Sequence, residues 1–324
     1  MPSSRHTFFN TDKMKAEAKR FGFYACGIAR AEKVARSNVE AFENWLAEGN
    51  NASMDYMQRN IEKRLDPRLL LDGAKSVIVV ALNYYPSRLL DDNQLQFAYY
   101  AYGKDYHDVM RRRMTMLAQS IGIKDIRDKK NDVDAHYRGL LCCDTVPVLD
   151  RYWAWNSGIG WIGKNTSLII PGSGSFFFIG EIITDMEFSE YDSPIENHCG
   201  SCRQCIEACP TGALCKPYIL DSNKCLSFLT IENRGELTQE LASKMGKCIY
   251  GCDRCQLACP HNRFAQPTDI EEFNPSEEFM SMQTEDWKKL SKEEYQRLFS
   301  DSAVKRAKYE GLMRNINQIK WKNE

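Results

Sequence analysis

The chain has 324 residues, 43% of them hydrophobic and 27% charged. At 37.4 kDa it is about twice a usual domain, large enough for a sizeable core and too ordinary in composition for a disordered or fibrous protein. Its 43 Lys and Arg against 44 Asp and Glu leave a net charge of -1, so contact with a polyanion has to come from a local basic patch.

Helix and strand signals alternate along the first half, which points to an α/β (α+β) layer structure. Thr11 to Arg20 reads as a helix capped by Thr11 and stopped at Gly22. Cys26, like Cys142 and Cys143, reads as an ordinary buried thiol. Arg64, in Lys63-Arg64-Leu-Asp-Pro67, reads as a solvated side chain or a partner for Asp66. Ser76 to Asn83 (SVIVVALN) reads as a buried β-strand. Asp105-Tyr-His107-Asp-Val-Met110 resembles the D-x-H-x-x-G motif that brings a histidine to cobalamin, but Met110 replaces the glycine, so axial ligation by His107 has no support. Arg111 to Arg113, Lys124 to Lys130 and Lys305 to Lys308 are candidate phosphate contacts, set against the plainer reading as solvated faces.

Asp144 is a lone carboxylate in the apolar run Leu140 to Leu149. Burial would raise its pKa and make it a proton donor near neutral pH. The residues alone favour a helix cap, with Thr145 to Trp155 as the helix and Pro147 in its first turn. Asn156 to Asp185 places two apolar runs around a Gly/Ser-rich turn, the pattern of a hairpin, and its glycines suggest close backbone approach. Gly158-Ile-Gly160-Trp-Ile-Gly163 fits the letters of a dinucleotide-binding loop without the βαβ context that loop requires.

Ten of the 13 cysteines lie between Cys199 and Cys259. In a chain with no apolar signal core, no twin-arginine pair and no run near the roughly 18 apolar residues of a membrane span, a cytoplasmic location is expected, and the thiols point to metal or redox chemistry. Cys199, Cys202, Cys205 and Cys209 before Pro210 form the C-x2-C-x2-C-x3-C-P run of bacterial ferredoxins. Cys252, Cys255 and Cys259 before Pro260 form a second run short of one cysteine. Reciprocal ligation gives Cys199, Cys202, Cys205 and Cys259 to one [4Fe-4S] cluster, and Cys209, Cys252 and Cys255 to another that needs one more thiolate. Cys215, Cys225 and Cys248 compete for that position, and spacing does not choose among them. Structural zinc also uses C-x2-C pairs, but two ferredoxin-type runs each ending in Cys-Pro exceed what zinc sites use.

Two clusters form an electron relay, and a relay needs an acceptor, for which flavin, haem and cobalamin all qualify. A family resemblance selects one. Arg64-Leu-Asp-Pro67, Gly103-Lys-Asp-Tyr-His107, Asp144-Thr-Val-Pro, Gly160-Trp-Ile-Gly-Lys-Asn165, Gly180-Glu-Ile-Ile-Thr-Asp185, the first cysteine run, Cys225-Leu-Ser-Phe-Leu-Thr-Ile-Glu232 and Ile249 to Pro260 together resemble the epoxyqueuosine reductases, relatives of the reductive dehalogenases. The resemblance spans Thr11 to Asn317. It implies a nitroreductase-like, cobalamin-binding α/β domain (1–188), a ferredoxin-like domain with two [4Fe-4S] clusters (189–265) and a helical C-terminal segment (266–324). It further implies base-off cobalamin and reduction of epoxyqueuosine to queuosine at the tRNA wobble position, the last step of queuosine biosynthesis.

By the same resemblance Cys225 is the fourth ligand beside Cys209, Cys252 and Cys255, Cys248 is a spare thiol, and Asp144 is the general acid. Arg64, Ala101, Asp144, Leu168, Ile179, Ile183, Ser227, Asp253 and Arg254 fall where cobalamin is contacted. The implied partners are the tRNA anticodon loop and a reduced low-potential electron donor, with a monomer acting away from membranes. The chain ends soon after Arg314-Asn-Ile-Asn317, without the helical repeats some members add, so a weaker or differently placed tRNA grip is expected. Two other readings stand beside this one. A cytoplasmic reductive dehalogenase-like enzyme has the same cofactors, and a two-cluster ferredoxin-like electron carrier would leave the residues before Cys199 without a task.

Overall fold

The computed structural model describes residues 8–128 and 135–319, so Lys129 and Lys130 lie outside the described residues. Five strands form the main sheet: β1 (Ala25–Arg30), β2 (Ser76–Asn83), β3 (Ile123–Asp125), β4 (Tyr137–Cys142) and β5 (Phe177–Thr184). Their spatial order is β1-β2-β5-β4-β3. Only β3 and β4 run parallel; the other neighbours are antiparallel.

β2 is buried along its length except at Asn83. Ile78, Val80 and Leu82 enter one core cluster, and Val77, Val79 and Ala81 enter another on the opposite face. A strand covered on both faces needs no polar alternation, which is why this one reads as a continuous apolar run. Helices α1 (Thr11–Arg20) and α2 (Tyr106–Ser120) cover the first face with Met14, Ala18, Val109, Met110, Met114 and Leu117. Helix α3 (Asp150–Asn156) covers the other with Trp153 and Ala154. Fully burying a side chain of this size stabilises the fold by roughly 1.5–3 kcal/mol. At Gly27 of β1 a Cβ would collide with the backbone carbonyl of Ser157, just past α3, so glycine lets the helix end and the strand approach.

Three local expectations are corrected. The expected helix has the bounds of α1, but its cap is Asn10, whose Oδ1 accepts from the Lys13 N–H at 2.7 Å; the Thr11 hydroxyl donates instead to the Glu190 carbonyl. The expected hairpin in 156–185 splits: Trp161–Ile162 pairs with Leu168–Ile169, while β5 joins the main sheet between β2 and β4. Asp144 caps nothing, because α3 starts only at Asp150, after a turn through Thr145 to Leu149.

A second core ties the cysteine-rich region to the C-terminal helices. Gln96–Phe97 pairs in parallel with Cys248–Tyr250. Around this pair Leu226, Phe228, Tyr250, Trp287, Phe299, Leu312 and Ile316 form one buried cluster. Helix α5 (Lys308–Asn317) is fixed against α4 (Leu226–Ile231) through Asn315, which has no exposed surface. Its Nδ2 donates to the carbonyls of Thr230 and Ile249, both at 2.8 Å. Among the described residues no helix is long and apolar enough to cross a membrane.

Candidate active site

The cysteine run folds as a loop and one helical turn. The Cys202 N–H donates to the Cys199 carbonyl, Gln204–Glu207 makes the turn, and the Cys209 N–H closes back onto Ile206. The second run repeats the device with Arg254–Leu257 and the Cys259 N–H on Gln256. The two turns pack together, and the last cysteine of the second run reaches the first three of the first. Cys199, Cys202, Cys205 and Cys259 line one cavity, with Lys164, Asn165 and His261 at its wall. Burial raises the Cys205 thiol, followed by the charges of Cys259, Cys199 and Cys202; burial and then the charges of Cys199 and Cys202 raise Cys259.

Among the described residues no three His, Cys, Asp or Glu side chains converge so as to hold a single metal ion. Four thiols of two ferredoxin-type runs lining one cavity fit the corners of a cubane. The donor set therefore suits an iron-sulfur cluster.

For the second set, burial pushes Cys255 up to about 12, and Cys225 and Cys209 are among its charged neighbours. Burial raises Cys225, which also feels Cys209. Cys209 differs: burial works against its thiolate, but the N–H groups of Leu214, Thr211 and Ala213 and the Thr211 hydroxyl hold its pKa below the usual thiol value. Cys225 itself is the residue preceding α4. Of its two competitors, Cys215 is exposed and donates to the Ile219 carbonyl, while Cys248 hydrogen-bonds to Cys252 and raises it.

Lys164 and Asn165 link the two halves. Lys164 Nζ donates to the carbonyls of Gly200 and Cys202 at 2.5 and 2.8 Å, and Asn165 Nδ2 donates to the Cys255 carbonyl at 3.3 Å. The sequence placed both residues in the family motif without giving them this role.

In the α/β half, Asp144 is exposed on the turn after β4, with φ +53°, a left-handed conformation in which non-glycine residues are uncommon. The Tyr106 hydroxyl donates to its Oδ2. Tyr106 is held by stacking on Phe178, 4.4 Å between centroids and 5° between planes. Burial and then the Asp144 charge drive the phenol pKa far above its ordinary value, so Tyr106 keeps its proton. Asp144, which the apolar run Leu140 to Leu149 suggests is buried, is instead an exposed carboxyl with a half-buried donor. Tyr106 was missed as a site residue, although the motif containing it was visible.

Arg64 is corrected too. It is 8% exposed, its Nη1 and Nη2 donate to the carbonyls of Val148 and Tyr56, and its buried Nε has no partner; Asp66 pairs with Arg68 instead. Leu168 and Ile183 lie in the core cluster on the α3 face and Ile179 packs against it. Ile183 has no exposed surface. Ala101 lies in the second core cluster, and the Tyr99 N–H donates to Asp253 at 2.7 Å; burial lifts Asp253 to about 6. Arg254 donates to the carbonyls of Lys244 and Met245, and Ser227 is half-buried in α4. Of the basic runs, Arg112 and Arg113 pair with Glu272, Lys305 with Asp105 and Arg306 with Glu232. Arg111, Lys124 and Arg127 line a separate cavity.

Comparison with known proteins matches these features. Residues 198–262 match the family described as a 4Fe-4S double cluster binding domain, and residues 64–145 match the family described as epoxyqueuosine reductase QueG. The epoxyqueuosine reductase of Cellulophaga algicola is 42% identical over 96% of this chain and 98% of its own length. That of Leadbetterella byssophila is 43% identical over 95% and 97%. A crystal structure of an epoxyqueuosine reductase with an epoxyqueuosine-modified tRNA-Tyr stem loop superimposes with a TM-score of 0.84 at 32% identity, covering 95% of this chain and 80% of that one.

Proposed function

The chain belongs to the epoxyqueuosine reductase family, oxidoreductases, and from that premise we propose that it reduces epoxyqueuosine to queuosine at the wobble position of a tRNA anticodon, with Asp144 as proton donor. The observation that carries this reading is the pairing of an electron relay, its first cavity lined by Cys199, Cys202, Cys205 and Cys259, with an exposed carboxyl held by Tyr106. A ferredoxin-like carrier has a use for the first and none for the second.

Cysteines 209, 225, 252 and 255 are the ligands of the second cluster, with Cys248 a neighbour of Cys252. The Arg64 Nε, without an acceptor among the described residues, fits a polar group brought by a bound molecule, such as the amide side chains of a corrin ring. Arg64, Leu168, Ile179 and Ile183 on one side and Ala101, Ser227, Asp253 and Arg254 on the other would then hold cobalamin, several of them through the backbone. When bound, cobalamin supplies a strongly reducing cobalt centre. Asp144 gives a proton to the epoxide oxygen, so that it departs as a neutral group and finally as water. Tyr106 then stabilises the carboxylate that is left and fixes its direction. The substrate base is presented unstacked from the anticodon loop, the usual target of base-specific RNA recognition.

Anaerobic reconstitution with iron, sulfide and cobalamin tests the architecture. About eight irons, four from each cubane, and one retained corrin per chain are expected, with queuosine formed from epoxyqueuosine-tRNA on reduction. Full iron with no corrin retained and no turnover would favour the electron carrier.

A further inference from the structure

Two carboxyls near Asp144 have no role in the chemistry above. Glu181 lies in β5 opposite Cys142 of β4 and Val79 of β2, with the same parity as Phe177 and Ile183, so it faces the α3 side of the sheet. It has no exposed surface, and apart from the neighbouring Asp150 carboxyl its oxygens find no donor among the described residues. α3 packs on β5 and begins with Asp150. Asp150 keeps part of its surface at the solvent boundary, yet enough protein surrounds its carboxyl that burial, followed by the Asp144 charge, lifts it to about 7. Burial, then Asp150, then Asp144 raise Glu181 well above the carboxylate range.

The groups facing this pair offer little to hold it ionised. Around Asp150 they are Asp144, Arg151 and Arg64; beside Glu181 they are Cys142 and Cys143, thiols kept neutral by burial. Arg64 donates to the carbonyls of Val148 and Tyr56, and Arg151 to that of Thr166. Burial favours the protonated form of both carboxyls and neighbouring carboxyls share a proton; the Asp150 backbone N–H and the charges of Arg151 and Arg64 oppose this without reversing it. A Glu serving only the core would be a poor choice there, since an apolar or amide side chain avoids the desolvation.

Exposure is graded across the three carboxyls: Glu181 is sealed, Asp150 sits at the boundary, and Asp144 is open. Resting on the assignment of Asp144 as the donor, we propose that Asp150 and Glu181 store a proton and reload Asp144, so that one exposed aspartate delivers both protons of the reaction. Converting an epoxide to an alkene takes two electrons and two protons: both C–O bonds break, a C=C bond forms, and the oxygen leaves as water. The electrons come from the low-potential reductant through the clusters. Asp144 gives the first proton and takes the second from the pair, which regains its own from solvent at Asp150.

The test uses the whole reconstituted chain. Infrared spectra of the wild type at pH 7 should contain a protonated-carboxyl band that is lost in Glu181→Gln. Thermal stability of that variant should be unchanged or higher, because an unpaired buried acid is removed. Its turnover should fall about tenfold or more above pH 7 and recover at lower pH, where solvent reloads Asp144 directly. Asp150→Asn should show the same pH dependence, and with the wild-type spectrum it decides the matter if Glu181→Gln does not fold. Wild-type turnover in both variants across this range, or no protonated-carboxyl band in the wild type, overturns the proton store while an inactive Asp144→Asn keeps the donor assignment. Full turnover by Asp144→Asn would remove the donor assignment itself, and the store with it.

Discussion

The two halves of the molecule hold their functional groups by opposite means. In the cysteine module the thiols of the two runs are fixed by their spacing along the chain: a helical turn of four residues presents Cys205, its counterpart turn leads to Cys259, and the two turns pack together. In the α/β half the functional groups are far apart in sequence and meet only through the sheet. Tyr106 comes from α2, Asp144 from the turn after β4, Asp150 from α3 and Glu181 from β5. Electron transfer tolerates this division, because the relay is a local module, whereas proton delivery depends on the tertiary fold.

Substitutions sharpen that contrast. Cys259→Ala should have the largest effect: although it lies in the second run, it should remove the cluster held by the first, lowering iron from about eight to about four atoms per chain and abolishing turnover. Iron analysis and electron paramagnetic resonance of the reduced protein check this. Cys225→Ser should likewise remove one cluster, while Cys248→Ser should keep both, if the proposed assignment of Cys225, a neighbour of Cys209 and Cys255, holds. The reverse result would exchange their roles. Tyr106→Phe should retain both clusters and lose turnover by about tenfold, the worth of one hydrogen bond to a charged group near 1.5 kcal/mol; wild-type kinetics would show that the phenol does not act on Asp144. Smallest of all, Asn315→Ala should leave the carbonyls of Thr230 and Ile249 unpaired and lower stability by about 1–3 kcal/mol in denaturant melts, with unchanged iron content.

The same contrast explains what could be read from the chain. β2 was legible because a strand buried on both faces is apolar throughout, and the first cluster set because ligand spacing is local. The pairing of β5 was not, since an apolar run declares a strand but not its neighbours, and β5 chose β2 and β4 over the nearer Leu168–Ile169. Arg64 looked solvated because its acceptors, the carbonyls of Val148 and Tyr56, are brought to it only by folding. Asp144 resembled a cap because Pro147 suggested a helix that begins later, at Asp150. Glu181, a single acid in the apolar strand Phe177–Thr184, carried a visible signal, but its partner Asp150 lies 31 positions away in sequence.

The most direct test of the central claim is single-turnover reduction of epoxyqueuosine-tRNA by Asp144→Asn, prepared with iron and cobalamin contents equal to those of the wild type. A loss of about 10²- to 10⁴-fold in the rate of queuosine formation is expected, with both cofactors still reducible. A rate equal to wild type in the fully loaded variant would contradict it.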